Sequence, residues 1–252
     1  MRTKLLTSTS IAAGAMLCGA AQAQVINFNA SLAGGETTYS GQGAYSDPGN
    51  DYWNALVQNG TTPLGLDSTG GFATAIANVT LTDTSPGSYN GGLGAGTPGT
   101  PSAFFAGFVL TGGGAVTTET LNNVPDGVYD LFLYGSNTGQ DRGVTFNVNG
   151  VIQSTVNANV VGAEAAPTAF TEGVNYVEYD NLVVSGGTLS FTYTANQAIN
   201  RTGQPSDNYG VNLEADFNGL QLVQVVPEPS TMAFVGIGLA GGLFRIIRRR
   251  RA

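Results

Sequence analysis

The chain has 252 residues, of which 10% are charged and 37 are glycine. That share of glycine is about twice the roughly 7% usual in proteins and argues against a helix-rich fold, since each interior glycine costs a helix about 1 kcal/mol. The chain contains no histidine and a single cysteine. These absences exclude Ser-His-Asp and Cys-His catalysis, and they also exclude histidine-ligated zinc or haem.

The charged residues divide the chain into three parts. Seven of the nine basic residues lie at the two ends. The stretch from Gln24 to Val226 holds sixteen acidic residues against Arg142 and Arg201, a formal net charge of −14. Such a body repels nucleic acid, whose binding needs basic residues that neutralise phosphates. It also lacks the lysine needed for a P-loop or a Schiff base.

The N-terminus has the three parts of a signal peptide. A short basic segment, Met1–Lys4, precedes a mostly apolar run, Leu5–Ala20, and Ala21 and Ala23 form an A-x-A cleavage site. We therefore predict a signal peptide over residues 1–23 that signal peptidase removes. Cys18 lies within it, behind Leu17, where a lipoprotein signal needs a small residue. The mature chain then has no cysteine and no disulfide.

The C-terminus combines a proline motif, an apolar run and a basic end. Pro227, Glu228 and Pro229 precede an apolar run that extends to Phe244, or over 16 residues to Ile247 if Arg245 snorkels. A helix of that length spans roughly 24 Å, short of a bilayer core of about 30 Å. The positive-inside rule would hold the final arginines in the cytoplasm. These arginines are Arg245, Arg248, Arg249, Arg250 and Arg251. The pattern predicts a single hydrophobic helix that anchors an export intermediate.

This tail resembles the PEP-CTERM sorting signal of Gram-negative bacteria, because the Pro-Glu-Pro motif, the glycine-rich span and the arginine cluster occur in that order. The resemblance implies recognition by an exosortase-type transpeptidase, transient attachment to the inner membrane, and delivery to the cell surface or exopolysaccharide matrix. The same segment is also described as an ice-binding-protein C-terminal domain. That description concerns the tail and implies nothing about the body.

Between the two ends, strand patterns recur with turn residues between them. The ranges 128–134, 144–149, 151–156, 176–185, 188–194 and 218–226 carry the clearest patterns, and weaker ones fall at 25–29, 75–82, 104–110 and 115–121. Asn149-Gly150 favours a type I′ hairpin, and Gly186-Gly187 suggests a second hairpin. Leu189, Phe191 and Tyr193 share one face, and Leu220 and Leu222 are expected to point inward.

Many short antiparallel strands over about 200 residues predict an all-β jelly-roll-type sandwich. We assign residues 1–23 to the signal peptide, 24–226 to the sandwich and 227–252 to the sorting segment. The body also resembles galactose-binding-like and malectin-like sandwiches. That resemblance rests on short motifs at 51–54, 66–70, 124–131 and 217–220.

Carboxylates are the main candidates for catalysis once histidine, cysteine and lysine are excluded. A glycosidase needs two of them facing one bond. Glu178 with Asp180 and Glu214 with Asp216 are each two residues apart on a strand, and so share a face. Laminarinase-like enzymes add a third carboxylate to the same run, which is missing here both times. A solvated strand face is therefore the favoured interpretation, and a glycan hydrolase is the alternative.

The remaining candidates concern binding. Asp51, Tyr52, Trp53 and Asn54 offer an aromatic face with hydrogen-bonding groups, which is typical of a glycan contact, while core packing is the other interpretation of the single tryptophan. Asp47, Asn50 and Asp51 offer oxygens for a structural Ca²⁺, while an Asx-rich turn is the other interpretation, and no other cofactor is expected. The threonine rows 80–84 and 192–194 do not recur at a fixed interval, which argues against an ice-binding ladder.

The sequence thus predicts an exported, non-enzymatic surface or matrix protein with weak glycan binding. Its expected partners are signal peptidase, an exosortase and exopolysaccharide, with no nucleic acid among them.

Overall fold

The computed structural model describes residues 25–30, 39–46, 53–63, 78–90, 99–112, 114–136, 143–156, 167–196 and 214–226. They belong to a compact unit, Ala23–Val225, apart from Val226. The signal peptide and the sorting segment, with their predicted cleavage and anchor residues, lie outside the described residues. No helix in the described ranges is long and apolar enough to cross a membrane.

Thirteen strands and one short helix make up the described elements. The strands are β1 Val25–Asn29, β2 Asn54–Ala55, β3 Thr61–Pro63, β4 Thr80–Asp83, β5 Gly87–Asn90, β6 Gly107–Thr111, β7 Thr117–Asn122, β8 Gly127–Gly135, β9 Val144–Val148, β10 Val151–Ser154, β11 Tyr176–Val184, β12 Thr188–Ala195 and β13 Ala215–Gln224. The helix, α1, covers Pro101–Phe104.

The strands form two sheets with jelly-roll connectivity. In the first sheet β11, β8, β13 and β6 are neighbours in that order, and in the second β10, β9, β12 and β7 are neighbours. The chain changes sheet at every step from β6 to β13 except between β9 and β10, which is the connectivity of a jelly roll. β1, β2 and β5 extend the first sheet, and β4 and β3 extend the second. Every pair is antiparallel except β1 with β2. The predicted fold class is confirmed.

Apolar residues that alternate along the strands fill the space between the sheets. β9 buries Val144, Phe146 and Val148 and leaves the residues between them partly exposed. Leu189, Phe191 and Tyr193 of β12 share the buried face, as predicted. Leu220 and Leu222 of β13 also point into this core. The period of two in the sequence therefore decides which face of each strand is buried.

A second cluster, which we call the aromatic cluster, lies on the outer face of the first sheet. Phe132 and Tyr134 of β8 pack there against Trp53 from a loop and Phe104 of α1. The Phe104 ring is 4.8 Å from that of Trp53 and 4.7 Å from that of Tyr134, both nearly edge-on. Edge-on aromatic pairs add about 0.5–1.5 kcal/mol each beyond the area they bury. The first sheet is thus covered on both faces.

A bulge in β13 allows β6 and β1 to pair, one after the other, with the same edge of this strand. Strand β13 therefore has neighbours along its whole length. Its beginning pairs with β6, and from Gly219 onward it pairs with β1. Gly219 has a φ of +154°, and a Cβ there would lie 2.2 Å from the Phe28 carbonyl oxygen. Asn218 caps the junction, because its side chain accepts from Ser136 N at 2.7 Å and donates to Gly107 O at 3.0 Å.

Three expectations about local structure need correction or refinement. Gly186-Gly187 is not a hairpin turn: β11 pairs with β8 in the first sheet and β12 with β7 and β9 in the second, so the two glycines cross between sheets. Phe104 lies in α1 rather than in a strand, because Pro101 starts a helical turn. The strand expected at 75–82 is observed as Thr80–Asp83, and residues 75–77 lie outside the described ranges. The hairpin at Asn149-Gly150 is confirmed, with φ values of +52° and +87°.

Replacing Gly219 by alanine tests the junction. We expect Gly219→Ala to lower the free energy of unfolding by about 2–4 kcal/mol, because the methyl group overlaps the Phe28 carbonyl and the strand must shift. Gly150→Ala is the control, since nothing lies within 4 Å of its added Cβ, and its left-handed φ should cost only about 1–2 kcal/mol. Urea unfolding measures both variants. Equal losses would contradict the proposed overlap.

Candidate functional site

Three carboxylates come together on the first sheet, and we call them the acidic cluster. Glu178 and Asp180 of β11 lie beside Asp130 of β8, with one carboxylate oxygen of each within 4.8 Å of the others. The predicted shared face of Glu178 and Asp180 is therefore confirmed. Asp130 supplies a third carboxylate that no run within β11 contains. Asp130 could not be predicted from the sequence alone, because its position beside Glu178 depends on the pairing of β8 with β11, which the sequence does not reveal.

A bulge in β11 shapes this cluster. The register shifts between Tyr179 and Leu182, and Asn181 adopts a left-handed φ of +55°. As a result, the backbone N–H of Asn181 donates to Asp130 Oδ1 at 2.8 Å. On the other side, Gln153 of β10 donates to the Glu178 carbonyl at 2.6 Å.

Glu178 is the member of the cluster with altered acidity. Partial burial, followed by the negative charges of Asp180, Glu172 and Asp130, raises its pKa from 4.5 to about 7. A carboxyl that keeps its proton near neutral pH can act as a general acid. The three carboxylates also have the spacing to share a cation, although exposed acidic groups often cluster without one.

The other acidic pair does not form such a group. Asp216 is fully buried on β13, so it does not lie on a solvated strand face as expected, while Glu214 is partly exposed just before the strand. The alternation along β13 directs Asp216 to the side opposite Ala215 and Phe217, away from the inter-sheet core.

The glycan contact expected at Trp53 and Asn54 is wrong for these two side chains. Trp53 has no exposed surface, and its indole N–H donates to the Gly41 carbonyl at 2.9 Å. Asn54 is 5% exposed and donates to the Asn27 carbonyl. Trp53 belongs to the cluster on the outer face of the first sheet, which agrees with the core-packing interpretation, and Asn54 links β2 to β1. Tyr52, like Asp47, Asn50 and Asp51 of the suggested calcium site, lies outside the described residues.

The outer face of the second sheet carries mostly small polar side chains, and we call it the hydroxyl face. The strand register aligns them into cross-strand rows of Thr61, Thr82, Thr120 and Ser190, of Thr118, Thr192 and Asn147, and of Thr194, Thr145 and Ser154. The second row ends on β10 at the exposed side chain of Ile152. Among the described strand residues on this face, none is charged. The separate threonine rows seen in the sequence thus belong to one surface.

Neighbouring hydroxyls on this face bond to one another. Thr61 and Thr82 share a hydrogen bond of 3.2 Å, and Thr120 and Ser190 share one of 3.1 Å. Neighbouring side chains within a row are about 4.8 Å apart, which is the spacing of adjacent strands. Successive rows are about 6.7 Å apart, which is the spacing of alternate residues along a strand. Because threonine is β-branched, these side chains have few rotamers to lose. The result is a neutral, ordered surface with many donors and acceptors.

Comparison with known proteins identifies the C-terminal segment. The family model of the PEP-CTERM protein-sorting motif matches residues 225–251, so the chain carries this motif, as its resemblance predicted. The motif implies export and recognition by an exosortase at the membrane. No curated protein sequence matches the chain.

Two solved structures resemble the body. One is the CBM36-1 domain of a multidomain xylanase from the hindgut metagenome of Trinervitermes trinervoides, with 16% identity and a TM-score of 0.29 over 60% of this chain and 100% of that one. The other is TmCBM61 in complex with β-1,4-galactotriose, with 12% identity and a TM-score of 0.19 over 47% of this chain and 67% of that one.

The raised pKa of Glu178 gives a prediction about stability. Its folded pKa of about 7 exceeds the ordinary value of 4.5, so its favourable contribution is complete below about pH 4.5 and is lost as the pH rises through about 7. We expect Glu178→Gln to be more stable than the wild type at about pH 8, with the difference vanishing near pH 4. Thermal unfolding across this range measures it, with Glu214→Gln as a control for loss of one charge. Parallel curves for wild type and Glu178→Gln would contradict the prediction.

Proposed function

We propose that the chain is an exported, non-enzymatic protein of the cell surface or extracellular matrix of a Gram-negative bacterium. The observation that carries this proposal is the PEP-CTERM motif at residues 225–251. The signal-peptide pattern at the N-terminus supports the same route. The body is strongly acidic, which suits a soluble surface protein and opposes binding to nucleic acid.

The sorting route assigns a role to each end of the chain. Signal peptidase cleaves after Ala23, and the hydrophobic segment before Arg245 holds the exported body at the inner membrane. An exosortase then recognises Pro227, Glu228 and Pro229 and removes the basic end.

Mass spectrometry of the native protein tests this route. We expect a mature N-terminus at Gln24 and no peptide from Arg245 onward in the surface fraction. Cells that lack the exosortase should retain the C-terminal peptides in the membrane fraction, which provides the control. Surface protein that still carries Arg248–Arg251 would contradict processing and indicate a permanent tail anchor.

We further propose that the hydroxyl face makes weak contacts with neutral glycan. Its threonine, serine and asparagine side chains offer both donors and acceptors, which match the hydroxyls of a sugar polymer. The face carries no charge among its described strand residues, so no ion has to be desolvated on contact. It also carries no aromatic ring on which a sugar could stack, so each contact is weak and binding needs several of them.

A carboxylate-based glycan hydrolase is the second candidate. The acidic cluster favours it, because Glu178 has the raised pKa of a general acid and lies beside two other carboxylates. In this reaction Glu178 would protonate the leaving oxygen, and a second carboxylate would act as the base or nucleophile.

A glycan array combined with an assay for reducing sugars separates the two functions. We expect binding without turnover, and we expect Thr192→Asp to weaken binding about tenfold, or about 1.4 kcal/mol, by placing a charge in the hydroxyl face. Ser185→Asp adds the same charge at an exposed position between β11 and β12 and should have no effect. Turnover that Glu178→Gln abolishes would instead establish the hydrolase.

A further inference from the structure

Two carboxyl groups face each other inside the second sheet, on the side that points into the core. Asp83 of β4 lies directly opposite Glu119 of β7 in the strand register. Asp83 is 2% exposed and Glu119 is not exposed at all. Like charges placed directly opposite on neighbouring strands destabilise a sheet, and burial increases that cost. The pair therefore needs a compensating group.

Asp83 accepts three hydrogen bonds, which leaves Oδ1 with an open acceptor position. Its Oδ2 accepts from Asn59 N at 2.7 Å and from Ser85 Oγ at 2.5 Å, and its Oδ1 accepts from Ser85 N at 3.0 Å. These hydrogen bonds connect the carboxylate to the loop before β3, which contains Asn59, and to the loop after β4, which contains Ser85. They stabilise its negative charge but provide nothing for Glu119.

Glu119 and a neighbouring tyrosine have no hydrogen bond of good geometry. The two carboxylate oxygens of Glu119 face Asp83, and the hydroxyl of Tyr193, which is fully buried on β12, lies close to the hydroxyls of Thr117 and Ser85. Burial, and then the negative charges of Glu119 and Asp83, raise the pKa of Tyr193 well above its usual value, so its hydroxyl lies within their field. The part of the chain that the structure describes contains no lysine, arginine or histidine to balance these charges.

We propose that Glu119 and Asp83 hold one divalent cation of the calcium type inside the sandwich. The polar atoms that face one another here are oxygens, which calcium prefers, and the buried side chains of Ser85 and Thr117 lie close to the Tyr193 hydroxyl. A proton on Glu119 would bond to Asp83 through one oxygen and leave the other without a partner. A cation bound by both oxygens of Glu119 satisfies the whole carboxylate.

The site would join parts of the chain that are far apart in sequence. β4 and β7 would be linked through the metal, and Asp83 would carry the link to the loops that hold Asn59 and Ser85. Its effect is therefore on the stability of the second sheet, and it is independent of whether the hydroxyl face binds glycan.

Calcium titration of the full-length chain tests the proposal. At a hundredfold excess over its Kd, CaCl₂ should raise the Tm by about 5–10 °C, and more than MgCl₂ does at equal ionic strength. Glu119→Gln should lose this shift. Glu214→Gln is the matched control, because it removes one partly exposed carboxylate outside both acidic groups and should keep the shift. Native mass spectrometry should find one calcium ion retained.

Two outcomes would overturn the proposal. One is a calcium shift that is equal in wild type and Glu119→Gln, which would place the ion elsewhere, at the acidic cluster if Glu178→Gln then abolishes the shift. The other is the absence of any calcium shift, which would leave a proton as the compensating group. If Glu119→Gln does not fold, terbium luminescence gives a second readout. Tyr193→Phe should lower tyrosine-sensitised terbium emission while keeping the calcium shift, and unchanged emission would also overturn the site.

Discussion

The burial of β13 on both faces is the constraint around which the rest of the body is organised. This strand carries Leu220 and Leu222 toward the inter-sheet core, and Asn218 and Gln221 toward the outer face, where they are also buried. Buried polar side chains are costly unless they are hydrogen-bonded. The loops that cover the first sheet supply these bonds.

Gln221 shows how a buried polar side chain of β13 obtains its hydrogen bonds. Its side-chain oxygen accepts from the Tyr134 hydroxyl and from Tyr45 N, and its amide donates to Asn27 Oδ1. Tyr134 in turn accepts from Ala44 N at 2.7 Å. Burial raises the pKa of Tyr134 well above its usual range, so the phenol keeps the proton that it donates. The aromatic cluster therefore surrounds a polar network and positions the loops over the sheet.

Strand positions could be predicted from the sequence far better than strand partners. Alternation in β9 and β12 shows directly which residues are buried, because the period of two is local. The partners of β11 and β12 depend on long-range packing, so two glycines between them looked like a hairpin. The same limit hid Asp130 from the acidic cluster and hid the alignment of Thr82 and Thr192 on one face. Trp53 illustrates a different limit, since its burial depends on loops that meet only in the folded chain.

The acidic residues of the body occur in two environments, one partly exposed to solvent and one buried. Glu178 lies in a partly exposed cluster where solvent screens the repulsion, and a pKa near 7 is enough to relieve it. Glu119 lies where solvent is excluded, and burial followed by the proximity of Asp83 raises its pKa well above the ordinary value. An acidic body can tolerate many exposed carboxylates, whereas each buried one requires its own compensation.

The pairing of β1 with β13 has a consequence for the order of events during export. Val25 pairs with Val223, and Asn29 donates to the Asn218 carbonyl across 189 positions of sequence. The first sheet therefore lacks its central strand until nearly the whole body has emerged from the translocation channel, and contacts of such long range form slowly. On the proposed sorting route, a tail held at the membrane would give the last strand time to insert before the protein is released.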